Sequence, residues 1–198
     1  MKVTGTGNKN FCGIILAGGR SRRMGVDKAE LTLNGRTFLE IQARKLQLLG
    51  AADIIISGKA SDLPGTRSVM DLYPGCGPLG GLYSCFVSAS QTCALVLSVD
   101  VPLISSSTLE ELLETHFRKD YDATILTRDG RIEPLIAVYN TGTACLLAEL
   151  IENKKLAMKA YIERLHYRLY SHNGSPGELL NCNFPEDLAA LAAHLPSE

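Results

Sequence analysis

A short apolar run enters a glycine-rich, basic loop in the sequence Cys12-Gly13-Ile14-Ile15-Leu16-Ala17-Gly18-Gly19-Arg20-Ser21-Arg22-Arg23-Met24-Gly25-Val26-Asp27-Lys28. The apolar part predicts a buried strand. The two adjacent glycines let backbone N–H groups approach an anion without a Cβ clash, and basic side chains surround them. These side chains are Arg20, Arg22, Arg23 and Lys28. The stretch therefore predicts a strand that ends in a polyphosphate-binding loop, suited to a nucleoside triphosphate.

The common phosphate-binding motifs do not describe this loop. It contains no G-x-x-x-x-G-K-[ST], so a P-loop is not predicted. Gly18 and Gly19 are contiguous and the next glycine is Gly25, which excludes G-x-G-x-x-G. The pattern that remains is L-A-G-G-x-x-x-R-M-G-x-D-K. An exposed turn with solvated arginines would share single features of it, but agreement over the whole run favours a nucleotide site.

Length, composition and charge predict a single domain. The chain has 198 residues, 45% of them hydrophobic, which is enough to fill one core. A net charge of -1 argues against nucleic acid or a membrane as partner. The sequence has neither a signal-peptide pattern nor an apolar run near twenty residues, so we expect a cytoplasmic protein.

The six cysteines form no C-x-x-C pair and no Cys/His cluster at zinc spacing. We therefore expect reduced thiols and no zinc site, in agreement with a cytoplasmic location. Cys76 lies in a loop rich in glycine and proline, where its thiol can be exposed. Since no histidine follows nearby to activate it, an unreactive thiol is favoured there. The cysteines are Cys12, Cys76, Cys85, Cys93, Cys145 and Cys182.

Apolar runs that predict strands alternate with helical patterns along the chain. The predicted strands are 13–16, 53–57, 94–99, 123–126 and 135–139. The predicted helices are 38–49, 79–87, 107–117 with Ser107 as N-cap and Glu110 completing a capping box, 141–152, 154–165 and 185–192. This alternation predicts an α/β domain with a mostly parallel sheet covered on both faces.

Three further polar segments follow predicted strands. Asp100 comes directly after the strand 94–99, where a carboxylate suits Mg²⁺ on triphosphate oxygens, although it can also satisfy a turn. The loop 68–81 offers Asp71 and a helix N-terminus to a ligand, although a sharp connection needs similar residues. Asn181 and Asn183 point the same way in an extended segment, toward a ligand, magnesium-bound water or a helix cap. Ligands bind at the carboxyl ends of parallel strands, so we expect one shared site.

The first motif, Asp100-Val101-Pro102 and the later Asn-x-Asn pair together resemble the molybdenum cofactor guanylyltransferases, and the resemblance covers nearly the whole chain. It implies a Rossmann-like, three-layer nucleotidyltransferase domain over 1–198. It further implies Mg²⁺-dependent transfer of GMP from GTP to the terminal phosphate of molybdopterin, giving molybdopterin guanine dinucleotide and pyrophosphate. Proteins that supply or receive the cofactor are then expected partners.

The resemblance also implies roles for individual residues. Lys28, Asp100 and Arg22 would be catalytic, and Asp100 would hold magnesium. The acceptor side would include Asn181 and Asn183. The nucleotide-binding part would span about 11–105 and the acceptor-binding part about 106–198. The implied nucleotide-binding residues are Leu16, Ala17, Gly18, Gly19, Lys28, Asp71 and Asp100.

Two positions depart from the family pattern, and two alternative functions stay open. Ser57-Gly58-Lys59 stands where relatives often present an asparagine to the base, and Glu133 precedes Pro134 in place of another polar residue. One alternative is a cytidylyltransferase, or a guanylyltransferase for another phosphorylated acceptor. Cytidylyl relatives tend to show Leu-Ala-Ala-Gly where this chain has Leu-Ala-Gly-Gly. The other alternative is a non-catalytic nucleotide-binding module, which would not need a metal-holding carboxylate.

Overall fold

A computed structural model describes residues 10–18, 28–182 and 187–192, and within these ranges nine strands and six α-helices follow one another. The strands are β1 (Cys12–Leu16), β2 (Thr32–Leu33), β3 (Arg36–Thr37), β4 (Asp53–Ser57), β5 (Arg67–Val69), β6 (Cys93–Ser98), β7 (Ala123–Arg128), β8 (Arg131–Asn140) and β9 (Tyr167–Ser171). The helices are α1 (Phe38–Leu48), α2 (Gly77–Ser88), α3 (Ser106–Phe117), α4 (Ala144–Glu152), α5 (Met158–Ile162) and α6 (Asp187–Ala192). None of these helices is both long and apolar enough to cross a bilayer.

One sheet contains seven of these strands, in the order β5-β4-β1-β6-β8-β7-β9. The pairs β5–β4, β4–β1, β1–β6 and β7–β9 are parallel. Strand β8 runs antiparallel to both of its neighbours. The mostly parallel α/β sheet predicted from the sequence is confirmed. The reversal of β8 was not predicted, because an apolar run indicates burial but carries no information on strand direction.

The apolar side chains of β1 alternate between two cores, one on each face of the sheet. Ile14 packs in the same core as Leu82 of α2. Ile15 points the other way and shares a core with Leu46 of α1 and Leu109 of α3. The side chains of these two isoleucines and three leucines are completely buried. Because successive residues of a strand face opposite sides, one short apolar strand holds helices on both faces, which confirms the three-layer prediction.

Several element boundaries differ from the sequence prediction. Ser105, not Ser107, is the N-cap of α3, because the extended Ser105 backbone lets its hydroxyl accept from the Thr108 N–H. The predicted helix 154–165 shrinks to Met158–Ile162. The edge strands β5 and β9 were missed because most of their side chains remain partly or largely exposed and form no apolar run. The predicted start of the last helix near residue 185 lies outside the described residues.

Candidate active site

Four parallel strands end in register along one edge of the sheet. Leu16, the last residue of β1, pairs with Ser57 of β4 on one side and with Ser98 of β6 on the other. Ser57 in turn pairs with Val69 at the end of β5. From β1 the chain first extends the sheet on one side, through β4 and β5, and later on the other side, beginning with β6. The strand order therefore reverses beside β1, and open α/β sheets bind ligands in the crevice at such a reversal. The predicted polar segments therefore meet at this edge.

The carboxylate of Asp100 is paired on both of its oxygens. Lys28 Nζ lies 3.1 Å from Oδ2, and the Ser98 hydroxyl donates to Oδ1 at 2.5 Å. The Lys28 and Asp100 side chains stay 20% and 21% exposed, so a ligand can still reach both. Lys28 and Asp100 are 72 positions apart in sequence, and tertiary structure brings them together. Ser98 was not predicted to contact Asp100. A signal was available in the sequence, because residues two positions apart in an extended segment point to the same side.

This donor set fits magnesium that arrives with a triphosphate. Within the described ranges, no group of three or more histidine, cysteine, aspartate or glutamate side chains is arranged to hold a metal ion. Mg²⁺ is commonly bound through one or two carboxylates together with substrate phosphates and water, rather than in a cage made of protein ligands alone. A single, partly exposed aspartate beside a lysine matches that mode of binding.

The loop after β1 contacts the loop after β4 through two glycines. A Cβ added to Gly18 would lie 3.3 Å from the Gly58 Cα, and a Cβ added to Gly58 would lie 3.0 Å from the Gly18 Cα. Gly58 also has a φ of 73°, which disfavours a side chain there. Gly18 was predicted because it leaves its backbone open to an anion. The structure adds a packing reason for that glycine.

Asp71 lies on the β4 side of the same edge. The Ser57 hydroxyl donates to Asp71 Oδ1 at 3.3 Å, so Ser57, a residue that departs from the family pattern, is the residue that orients this carboxylate. A Cβ on Gly81 of α2 would lie 2.7 Å from the Ser57 Oγ, so this glycine makes room for the pair. Met70 and Leu72, the neighbours of Asp71, expose 66% and 62% of their surface.

Asn181 lies next to the Asp100 loop. The backbone N–H of Cys182 donates to the Asp100 carbonyl at 2.9 Å, and the Asn181 side chain is exposed. Leu16 and Ala17 are buried. The remaining predicted residues lie outside the described residues; they are Gly19, Arg20, Arg22, Arg23 and Asn183.

Glu133 belongs to the electrostatic surroundings of Asp100. Burial raises the pKa of its carboxyl, the negative charge of Asp100 adds to the increase, and Arg128 and Arg131 act in the opposite direction. The sequence identified Glu133 only as a departure from the family pattern. Its proximity to Asp100 follows from the sheet, where β8 lies beside β6.

Three of the six cysteine thiols are kept unreactive by burial. Burial raises the pKa of Cys12, Cys85 and Cys93 to about 12, which keeps these thiols protonated at neutral pH. Cys76 is partly exposed immediately before α2, and Cys145 is exposed on α4. All six cysteines are free.

Comparison with known proteins identifies the family. The family described as "MobA-like NTP transferase domain" matches residues 13–168. The chain belongs to this family. A molybdenum cofactor guanylyltransferase of Xanthomonas euvesicatoria pv. vesicatoria is 32% identical, covering 94% of this chain and 96% of that protein. A probable molybdenum cofactor guanylyltransferase of Methanothermobacter thermautotrophicus is 34% identical, covering 88% and 95%.

Solved structures show the same fold for this MobA-like transferase. Molybdopterin-guanine dinucleotide biosynthesis protein A from Archaeoglobus fulgidus superimposes with a TM-score of 0.77 at 23% identity, over 91% of this chain and 96% of that one. A 2-C-methyl-D-erythritol 4-phosphate cytidylyltransferase from Thermus thermophilus gives 0.70 at 19% identity, over 93% and 98%. The family match and the curated relatives make this MobA-like chain a nucleotidyltransferase. The shared fold by itself does not select the base.

Proposed function

We propose that this MobA-like enzyme transfers GMP from GTP to the terminal phosphate of molybdopterin, with Mg²⁺ as cofactor, and releases pyrophosphate. The observation that carries the proposal is the Lys28–Asp100 pair beside the Gly18 loop, at the edge where β1 and β6 end. The names of relatives that match nearly the whole chain supply the guanylyl donor and the acceptor. A purely binding module would not need a lysine and a carboxylate held together at this edge.

The reaction places few chemical demands on the protein. The attacking phosphate oxygen is already anionic and needs no general base, so catalysis consists of positioning and charge neutralisation. Lys28 would donate to the phosphates, and the backbone N–H groups after β1 would contact them as well. Asp100 would hold Mg²⁺, which neutralises charge on the triphosphate when bound. Arg22 would add positive charge on the same side.

The remaining roles divide the edge between donor and acceptor. Leu16, Ala17, Gly18 and Gly19 would bind the nucleotide, and Asp71 its guanosine part. Asn181 and Asn183 would contact the pterin side, which agrees with the hydrogen bond that joins the Asn181 segment to the Asp100 carbonyl. Proteins that deliver or receive the cofactor, and a cytoplasmic location, are parts of the same proposal, the latter resting on the cysteine pattern of the sequence.

Pyrophosphate release by the purified protein tests this function. The assay contains Mg²⁺ and a carrier loaded with molybdopterin, and it compares GTP, CTP and ATP at equal concentration. We expect release with GTP. Release that favours CTP would move the assignment to the cytidylyltransferases. No release with any of the three would leave another phosphorylated acceptor or a binding module.

A further inference from the structure

An amide side chain lies buried beneath the loop that carries Asp100. Gln42, on α1, is 0% exposed. Its neighbours on the same face of the helix are the apolar side chains of Leu39, Ala43 and Leu46. A buried amide destabilises a fold unless it is hydrogen-bonded, so its partners indicate why a glutamine stands at this position.

Both N–H groups of the Gln42 amide are used, and both bind the Asp100 loop. Nε2 donates to the Ser98 carbonyl at 3.0 Å and to the Val101 carbonyl at 2.9 Å. These two carbonyls bracket Asp100 in the sequence. An amide is suited to this task because its one nitrogen carries two N–H donors. If the amide were turned over, its oxygen would face the two carbonyl oxygens, and neither hydrogen bond could form.

Lys45, nearly one turn further along α1, extends the same contact. Its Nζ donates to the Pro102 carbonyl at 2.5 Å and lies 3.5 Å from the Gln42 Oε1. The loop is also tied to β1, where the Val99 N–H donates to the Leu16 carbonyl at 3.4 Å. Helix α1 therefore contacts the backbone on both sides of Asp100, whereas the Lys28 and Ser98 side chains contact its carboxylate.

We propose that Gln42 is a positioning residue that sets the direction of the Asp100 carboxylate by holding the Ser98 and Val101 carbonyls, with Lys45 as its support. The inference rests on the proposed function, in which Asp100 holds the metal. Gln42 itself would contact neither nucleotide nor metal. It acts through the backbone that carries the ligand, as residues behind metal ligands commonly do.

Substitution of Gln42→Leu tests this role because it removes both donors and keeps most of the side-chain volume. The readout is the dissociation constant of Mn²⁺ from the protein in the presence of GTP, together with Tm. It is measured by the loss of the electron paramagnetic resonance signal of free Mn²⁺ beyond the loss that GTP alone causes. We expect the Mn²⁺ dissociation constant to rise about tenfold, within the range seen when a group that orients a metal ligand is removed. Lys45→Met should change it in the same direction by less.

Two variants of the same helix serve as controls. Gln47 Nε2 donates to the Pro64 carbonyl at 3.1 Å, so Gln47→Leu removes an amide–carbonyl bond that is directed to a different loop. Leu46→Ala removes buried apolar volume and lowers Tm without changing a contact to Asp100. Both are expected to keep the Mn²⁺ affinity of the unmodified protein.

The inference is overturned if Gln42→Leu folds and binds Mn²⁺ as tightly as the unmodified protein, or if Leu46→Ala loses as much affinity. It is also overturned if the unmodified protein with GTP binds no Mn²⁺. If Gln42→Leu does not fold, Lys45→Met decides on the same readout. If the protein releases no pyrophosphate, the proposed function is contradicted, but the Mn²⁺ affinities of the variants can still be compared. Failure of the proposed function is therefore distinguishable from failure of the proposal for Gln42.

Discussion

Asp100 shows how much of a single side chain's setting comes from distant parts of the chain. Its carboxylate meets Lys28 and Ser98, and its own carbonyl accepts from the Cys182 N–H. Two distant segments, together with Ser98 at the end of β6, thus fix one residue. A carboxylate held in one direction binds a cation without losing further side-chain freedom, which favours both positioning and charge neutralisation.

Replacement of Asp100 by alanine is expected to abolish most turnover while the fold is retained. The carboxylate is partly exposed, so its removal leaves no large cavity, but Lys28 loses its ion pair with Asp100 and the proposed magnesium site loses its protein ligand. The loss in kcat should be on the order of a hundredfold or more, as for removal of one group that stabilises transition-state charge. Steady-state pyrophosphate release and urea unfolding measure the two effects.

The control is Asp53→Ala. Asp53 pairs with Arg67 at 2.7 Å at the opposite edge of the sheet, so this variant also loses a carboxylate in an ion pair. It should keep its turnover. Near-normal kcat in Asp100→Ala, or an equal loss in Asp53→Ala, would refute the metal role.

Helix α1 is the element that links the core to the candidate active site. Its first turn forms a capping box, in which the Thr37 Oγ1 accepts from the Glu40 N–H at 3.1 Å and the Glu40 carboxylate accepts from the Thr37 N–H at 2.6 Å. The Thr37 N–H, and the Thr37 hydroxyl that donates to the same carboxylate at 2.9 Å, lower the pKa of Glu40. The box satisfies N–H groups that would otherwise lack partners, and it fixes where the helix begins. Because α1 carries Gln42 and Lys45, the residue at which the helix begins also sets where these two side chains lie relative to the Asp100 loop.

Substitution of Thr37→Ala should lower the free energy of unfolding by about 1 kcal/mol, the usual loss when an N-cap hydroxyl is removed. Thr37→Ser keeps the accepting oxygen and should lose much less. Urea unfolding at fixed pH provides the comparison, with an unchanged m-value showing that only stability has changed. Equal stability of the alanine and serine variants would argue against the capping box as the source of the effect.

At the scale of the whole molecule, the sheet has a core on each face, and α3, whose apolar side chains pack in one of them, carries a buried histidine. His116 of α3 is 7% exposed, and its Nδ1 lies 3.1 Å from the Thr124 Oγ1 of β7. Burial lowers the pKa of His116, and the charge of Asp120 opposes this only in part. Protonation of the ring is therefore less favourable in the folded state than in the unfolded state.

This histidine should make the fold sensitive to acid. Between the folded and unfolded pKa values the unfolded chain binds more protons, so stability is retained above pH 6.5 and falls as the pH drops through the lowered folded value. Each unit of pKa difference contributes about 1.4 kcal/mol. In His116→Asn, whose amide can still meet the Thr124 hydroxyl, the decline in unfolding free energy between about pH 7 and pH 5 should be smaller. Parallel curves for both proteins would exclude His116 as the source.

The amino-acid sequence by itself determined the buried strands β1, β4 and β6, the α/β class and the edge of the sheet where the predicted polar segments meet, because each depends on local patterns of apolar residues, glycines and turns. Tertiary structure alone decided the direction of β8, the Gly18–Gly58 contact and the partners of Asp100. Lys28 is 72 positions from Asp100, and Gln42 is 56 and 59 positions from the carbonyls it holds. Local periodicity marks Gln42 as one residue on a buried helix face, and only the packing of α1 against the end of β6 reveals which carbonyls its amide meets.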